Sequence, residues 1–121
     1  MSLLEEELRR ILSKESVKDL EQPLRQLIAR LVEEFKPLKI IIAGSLARGE
    51  FVRGLSDIDI LITVDHPISK DRRLILTHVN NVDAEVTVVS RGELEKAVRE
   101  GNKFYINALT CGATVYRSTN T

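Results

Sequence analysis

Asp57 and Asp59 stand two residues apart in the apolar run "DIDILITV", and a spacer of eleven residues separates Asp57 from the pair Gly44-Ser45. In an extended strand, residues two apart share a face, so both carboxylates point the same way with their Cα atoms about 7 Å apart. A half-buried strand does not carry unpaired carboxylates cheaply. Either that face is open, or something positive sits in front of it. A third stretch, "VDAEVTVV", places Asp83 and Glu85 on one face, where they join Asp57 and Asp59 if the two strands pair. Three or four carboxylates meeting at one point read as a metal site. Hard cations such as Mg²⁺ take oxygen ligands, usually a few carboxylates plus substrate phosphates. Two such ions about 3.5–4 Å apart clamp the attacking and leaving oxygens of an in-line phosphoryl displacement. Gly44 lets the backbone approach a phosphate, and Ser45 offers an N–H and a hydroxyl. Arg48 and Arg53 lie close enough in sequence to neutralise phosphate charge or to pin the acidic strand.

Positioning these groups requires strands. "LKIIIAG" is a β-branched run of strand length closed by Gly44, "DIDILITV" is the second strand and "VDAEVTVV" the third. Before them, Leu3, Leu4, Leu8, Ile11 and Leu12 recur at helical spacing and predict an amphipathic helix to about Lys14. Ser16 and Asp19 mark a second helix start. Its stripe runs from Val17 through Leu20, Leu24, Leu27, Ile28, Leu31 and Val32 to Phe35, with a kink or restart at Pro23 and a stop at Pro37. Leu74, Ile75 and His78 predict a short helix within residues 69–79. "GELEKAVRE" and "NKFYINALT" predict two more helices, the second opened by Asn102 and stopped by Gly112, and "ATVYR" a last short strand. The pattern is α+β, organised as a helical segment over 1–36 and a domain over 37–121 that together form one compact unit.

Composition narrows the function classes. The 121 residues are 43% hydrophobic and 30% charged, which reads as soluble and globular. Lys and Arg number 18, as do Asp and Glu, so a protein that coats nucleic acid nonspecifically is not expected. A single cysteine, Cys111, leaves no internal disulfide and fits a reducing compartment. "MSLLEEELRR" is amphipathic and acidic rather than a signal peptide, and no apolar run approaches a membrane span. The expected location is the cytoplasm.

"GSLARGEFVRGLSDIDILI", with "AEVTVVS" downstream, resembles the nucleotidyltransferase superfamily of the DNA polymerase beta type, and among its members the small minimal nucleotidyltransferases. The family pattern is Gly-Ser, a spacer, Asp-x-Asp among apolar residues, then a third acid in a later strand. Gly44 and Ser45 match the first part and Asp57 and Asp59 the second, across a spacer one residue longer than the commonest form. The resemblance runs from about Leu38 to Tyr116. It implies a polymerase beta palm-like fold with a mixed sheet in which the three strands stand in the order 1-2-3. The third acid of the family is commonly Asp. This chain offers Glu85 or Asp83, and the spacing to the following helix favours Glu85.

The resemblance further implies Mg²⁺ ions, two of them, held by Asp57, Asp59 and Glu85, with Asp83 as the alternative third ligand. Gly44, Ser45 and Arg48 would hold the phosphates of an NTP, ATP in the first instance. The expected reaction moves a nucleoside monophosphate to an acceptor hydroxyl. Minimal members commonly act with a small helical HEPN-type partner as the antitoxin of a toxin–antitoxin pair, some by adenylylating a tyrosine on it, so a partner protein is expected here. A homo-oligomer built on the N-terminal helices is a further expectation. The rival reading keeps the fold and nucleotide but neutralises the partner by contact alone. Outside the motif, His66, His78 and Arg53 read as structural or solvated residues. Cys111 reads as core, and Phe104 with Tyr105 as packing for the last helix. Two histidines and one cysteine so widely spaced do not suggest zinc.

Overall fold

In a computed structural model of the chain, residues 2–118 are described. Helix α1 (Leu3–Ile11) starts where the Ser2 hydroxyl accepts the Glu5 N–H at 3.2 Å. It ends at Ile11, a turn short of Lys14, because Leu12 leaves helical geometry with φ −108° and ψ 25°. The expected helix start at Ser16 and Asp19 is instead a 3₁₀ turn at Lys18–Leu20, which feeds directly into α2 (Glu21–Phe35). Pro23 is the third residue of α2. In the first turn its missing N–H removes no intrahelical bond, so no restart is needed. Lys36, left-handed at φ 47°, closes α2 ahead of Pro37.

Five strands form one sheet: β1 (Lys39–Ala43), β2 (Ile58–Val64), β3 (Leu74–Val79), β4 (Val82–Ser90) and β5 (Ala113–Arg117), in the order β3-β4-β2-β1-β5. The three principal strands read from the sequence are β1, β2 and β4, and they are neighbours in the expected order. The helix expected within 69–79 is the correction. After a 3₁₀ turn at Lys70–Arg72 that stretch is β3, an edge strand joined to β4 by a two-residue hairpin. Asn80 and Asn81 both take positive φ, 49° and 67°, the backbone a type I′ turn demands. β2 pairs with β1 antiparallel and with β4 parallel.

Three short helices complete the fold. The first, α3 (Gly44–Arg48), follows β1 directly. α4 (Arg91–Arg99) opens with a capping box between Ser90 and Glu93, and α5 (Lys103–Cys111) is capped by Asn102 and ends before Gly112.

Strand alternation divides the core in two. Ile40, Ile42, Ile58, Ile60, Ile62, Val86 and Val88 face α1 and α2, sharing one apolar cluster with Leu8, Leu20, Leu24 and Ile28. Ile41, Ala43, Leu61 and Val89 face the other way, beneath Ala108, Leu94 and Tyr105 of α4 and α5. Fully burying each such aliphatic side chain stabilises by roughly 1.5–3 kcal/mol. The second layer stops short of β3, where Leu74 and Leu76 stay 54% and 70% exposed. Cys111, expected in the core, is exposed at the end of α5. Phe104 meets Tyr105 edge-to-face at 5.2 Å between ring centroids. Among the described residues no helix is long and apolar enough to cross a membrane.

Candidate active site

The strand register brings the sequence motifs into one row. Ala43, the last residue of β1, lies opposite Asp59; Asp59 lies opposite Glu85; Glu85 lies opposite Leu76. Cross-strand partners share a face, so this row runs from the Gly-Ser turn, across two carboxylates, to the exposed edge strand. Asp57 stands one residue ahead of β2, on the same face as Asp59 by alternation. Asp59 is half-buried, while Asp57 and Glu85 are exposed.

Gly44 is what makes room for Asp59. Its φ of +68° is a conformation that L side chains rarely adopt, and a Cβ there would lie 2.5 Å from the Asp59 Oδ2 atom. The Asp59 carboxylate therefore rests on the bare backbone where β1 turns into α3. Ser45 follows, half-buried, and its carbonyl accepts the Glu50 N–H at 2.9 Å, folding the segment after α3 back on itself.

Like charge collects here. Burial raises the Asp59 pKa, and the carboxylates of Glu85 and Asp57 push it further in the same direction, with Arg48 pulling the other way. Arg48, expected at the phosphate end, is exposed and pairs through Nε with Glu50 at 2.7 Å. Among the described residues no Lys, Arg or His forms an ion pair with Asp57, Asp59 or Glu85. The acidic face is open, and Arg48 acts on it only at a distance. Among those residues, too, no three His, Cys, Asp or Glu side chains are grouped to hold a metal ion by themselves. The donor set nonetheless fits Mg²⁺, whose sites need only one or two carboxylates once substrate phosphates supply the rest.

Asp83, the alternative third acid, lies two residues further along β4, opposite His78, and its Oδ1 is 3.0 Å from the His78 Nδ1. Glu85 faces Asp59 and Asp83 does not. Arg53, read as solvated, reaches back instead to Asp19, with Nη1–Oδ1 2.6 Å and Nη2–Oδ2 2.7 Å, and donates to the Ser16 carbonyl. The Asn80 amide also donates to Asp19. This knot ties the segment before Asp57 to the N-terminal turn and to the β3–β4 hairpin. Its members lie too far apart in sequence for spacing to reveal it. His78 and Leu76 were missed as neighbours of the site because β3 was read as helix; the alternation through Leu74–Val79 was the available signal.

Two clefts flank the carboxylates. One of about 260 Å³ is lined by Asp57, Leu76, Thr77, His78, Asp83 and Glu85. Another of about 550 Å³ lies between the loop at Arg53–Asp57 and Asn80, Asn81 and Asp83. A further cleft of about 600 Å³, lined by His66, Arg73, Arg91 and Glu93 among others, is at the opposite end of β2 and β4. The chemistry described above is not there: Arg73 is already bonded to Glu93.

A Gly-Ser turn against an Asp-x-Asp strand, with a third acid one strand over, defines a nucleotidyltransferase architecture. The chain belongs to the nucleotidyltransferase domain family, whose model matches residues 24–113. A crystal structure of a nucleotidyltransferase-like protein from Exiguobacterium sibiricum 255-15 has the same fold, with a TM-score of 0.60 at 13% identity. The match covers 84% of this chain and 35% of that one, so this chain spans about a third of its neighbour's length. No curated protein matches the sequence.

Proposed function

We propose that this domain transfers a nucleoside monophosphate from an NTP, ATP in the first instance, to a hydroxyl on a partner protein, with Mg²⁺. The observation that carries the reading is the single row in which Ala43, Asp59 and Glu85 follow one another across three strands, with Gly44 packed directly against the Asp59 carboxylate. Asp57 and Asp59 would hold Mg²⁺, with Glu85 contributing on the acceptor side. When bound, the metal supplies Lewis-acid stabilisation of the charge that develops on the phosphoryl oxygens. The Ser45 N–H and hydroxyl would donate to the outer phosphates, and Arg48 would exchange Glu50 for phosphate charge. Glu85 would accept the proton of the attacking hydroxyl. That oxygen bonds to the α-phosphorus as the bond to the bridging oxygen breaks, and pyrophosphate leaves with the electron pair.

The resemblance to minimal nucleotidyltransferases supports a HEPN-type helical partner and an antitoxin role. A contact-only binding module is the second reading. It is favoured by the absence, among the described residues, of a three-ligand metal cluster.

Substitution separates them. In Asp57→Asn/Asp59→Asn, Mg²⁺-dependent NTP binding should disappear in calorimetry. Glu85→Gln should keep NTP affinity and lose most transfer of labelled nucleotide, because a base acts mainly in the transition state. Asp83→Asn, held by His78, should do much less. Wild-type NTP binding that ignores EDTA would sink the metal site; NTP binding with no transfer to a verified partner would favour the module.

A further inference from the structure

The row that builds the site also gives it a direction. Gly44 and Ser45 stand on one side of Asp59, and Glu85 followed by β3 stands on the other. With the triphosphate at the Gly-Ser end, the acceptor must approach from the β3 side. What β3 presents there is two exposed leucines, with His78 beyond them bonded to Asp83. Leu74, Leu76 and His78 alternate onto this face, opposite Thr87, Glu85 and Asp83 of β4. Leu74 and Leu76 are 54% and 70% exposed, β3 is an edge of the sheet, and among the described residues no strand pairs with its outer side. No strand position of β3 or of β4 through Thr87 on this face is Lys or Arg.

From this we infer that β3 is the docking surface for the acceptor, and that the acceptor is a polypeptide presenting aliphatic or aromatic side chains beside its hydroxyl. The inference rests on the proposed transfer reaction for the direction of approach. Chemistry selects the occupant. A polynucleotide needs cations along its track, whereas the strand positions of β3 on this face supply none. A polypeptide gains by covering Leu74 and Leu76, which lie adjacent to Glu85 and so place its hydroxyl at the base. An extended segment could also add its backbone to the open edge of β3, a recurring mode of peptide recognition.

The test uses the full chain and a dodecapeptide phage library, with Leu74→Thr/Leu76→Thr as the variant; threonine keeps strand propensity and both sites are exposed, so the fold should survive. Selection on wild type should enrich peptides that combine Leu, Ile, Val or Phe with Ser, Thr or Tyr. The enriched peptides, as fluorescent synthetic copies, should bind the variant at least tenfold more weakly by anisotropy, while Mg²⁺–ATP affinity stays the same. Peptides that bind both proteins equally would overturn the inference, as would a failure to enrich any. So would a single-stranded oligonucleotide binding this face in their place, or a wild-type dimer in ultracentrifugation that the variant dissolves. Loss of Mg²⁺–ATP binding by the wild type itself would instead overturn the transfer reading and leave the peptide result standing on its own.

Discussion

At the scale of single residues, the site is a contest between one glycine and one carboxylate for the same space. Gly44 and Gly54 both have positive φ, +68° and +89°, but only Gly44 has a neighbour within reach of a Cβ, the Asp59 carboxylate. Alanine at either position should lower stability in urea by about 1–2 kcal/mol, the penalty of a left-handed conformation. Gly44→Ala alone should also shift the titration of Asp59 in carboxyl ¹³C spectra, because its carboxylate must swing aside. Equal Asp59 titration in the two variants would place that carboxylate elsewhere.

Asp59 also links the site to pH. Its folded pKa is raised by burial and by Glu85 and Asp57. The native state therefore holds this proton more tightly than the unfolded chain. The associated stability is fully present below the ordinary Asp value near 3.9 and is lost as pH rises through the raised folded value. Asp59→Asn should raise the melting temperature of the metal-free protein at pH 7, by an amount that shrinks towards pH 4. A gain independent of pH would point to packing rather than charge. The residues of this contest were legible in the sequence because their types are unusual where they stand: a glycine where a Cβ cannot fit, and acids on one face of an otherwise apolar strand. Period-two alternation put Asp83 and Glu85 on one face, and the spacing to the following helix singled out Glu85. The Arg53–Asp19 pair was not, since nothing local requires it.

Among the elements, the β3–β4 hairpin carries the main lesson. Leu74, Ile75 and His78 fit a helical period, yet the same six residues alternate exposed and partly buried as an edge strand, and short runs satisfy both periods. Asn80-Asn81 decided the matter, because two consecutive positive-φ positions reverse the chain where a helix would have to continue. Asn81→Gly should hold or modestly raise stability, Asn-Gly being the preferred pair for this turn. Asn81→Val should lower it by about 1–2 kcal/mol, since a β-branched side chain resists φ of that sign. A thermal melt in which valine is tolerated as well as glycine would refute the turn assignment. Helix α5 was legible for the opposite reason: Asn102 is a local cap that needs no distant partner, and the Ser90–Glu93 capping box that the structure shows on α4 is equally local.

Across the whole molecule, the N-terminal helices and the sheet share one core, with Leu8, Leu20 and Leu24 fully buried against strand residues such as Ile40 and Ile60. The helical stripe was visible in the sequence; that it lies beneath the sheet face opposite the acids was not, because periodicity shows which side is apolar and not what covers it.

The parallel pairing of β2 with β4 has a consequence in time. β3 and β4 are joined by two residues and can zip within microseconds, whereas β2 and β4 can align only after the intervening chain has turned back. β4 then reaches β2 already carrying β3, and Asp59 meets Glu85 in that slow non-local pairing. Their repulsion would therefore be felt at the rate-limiting barrier. In a stopped-flow chevron, Asp59→Asn should therefore speed refolding; a refolding limb left where it was, with slower unfolding alone, would mean that the two acids meet late. On this order of events, the step that commits the chain to its fold is the one that forces Asp59 and Glu85 together.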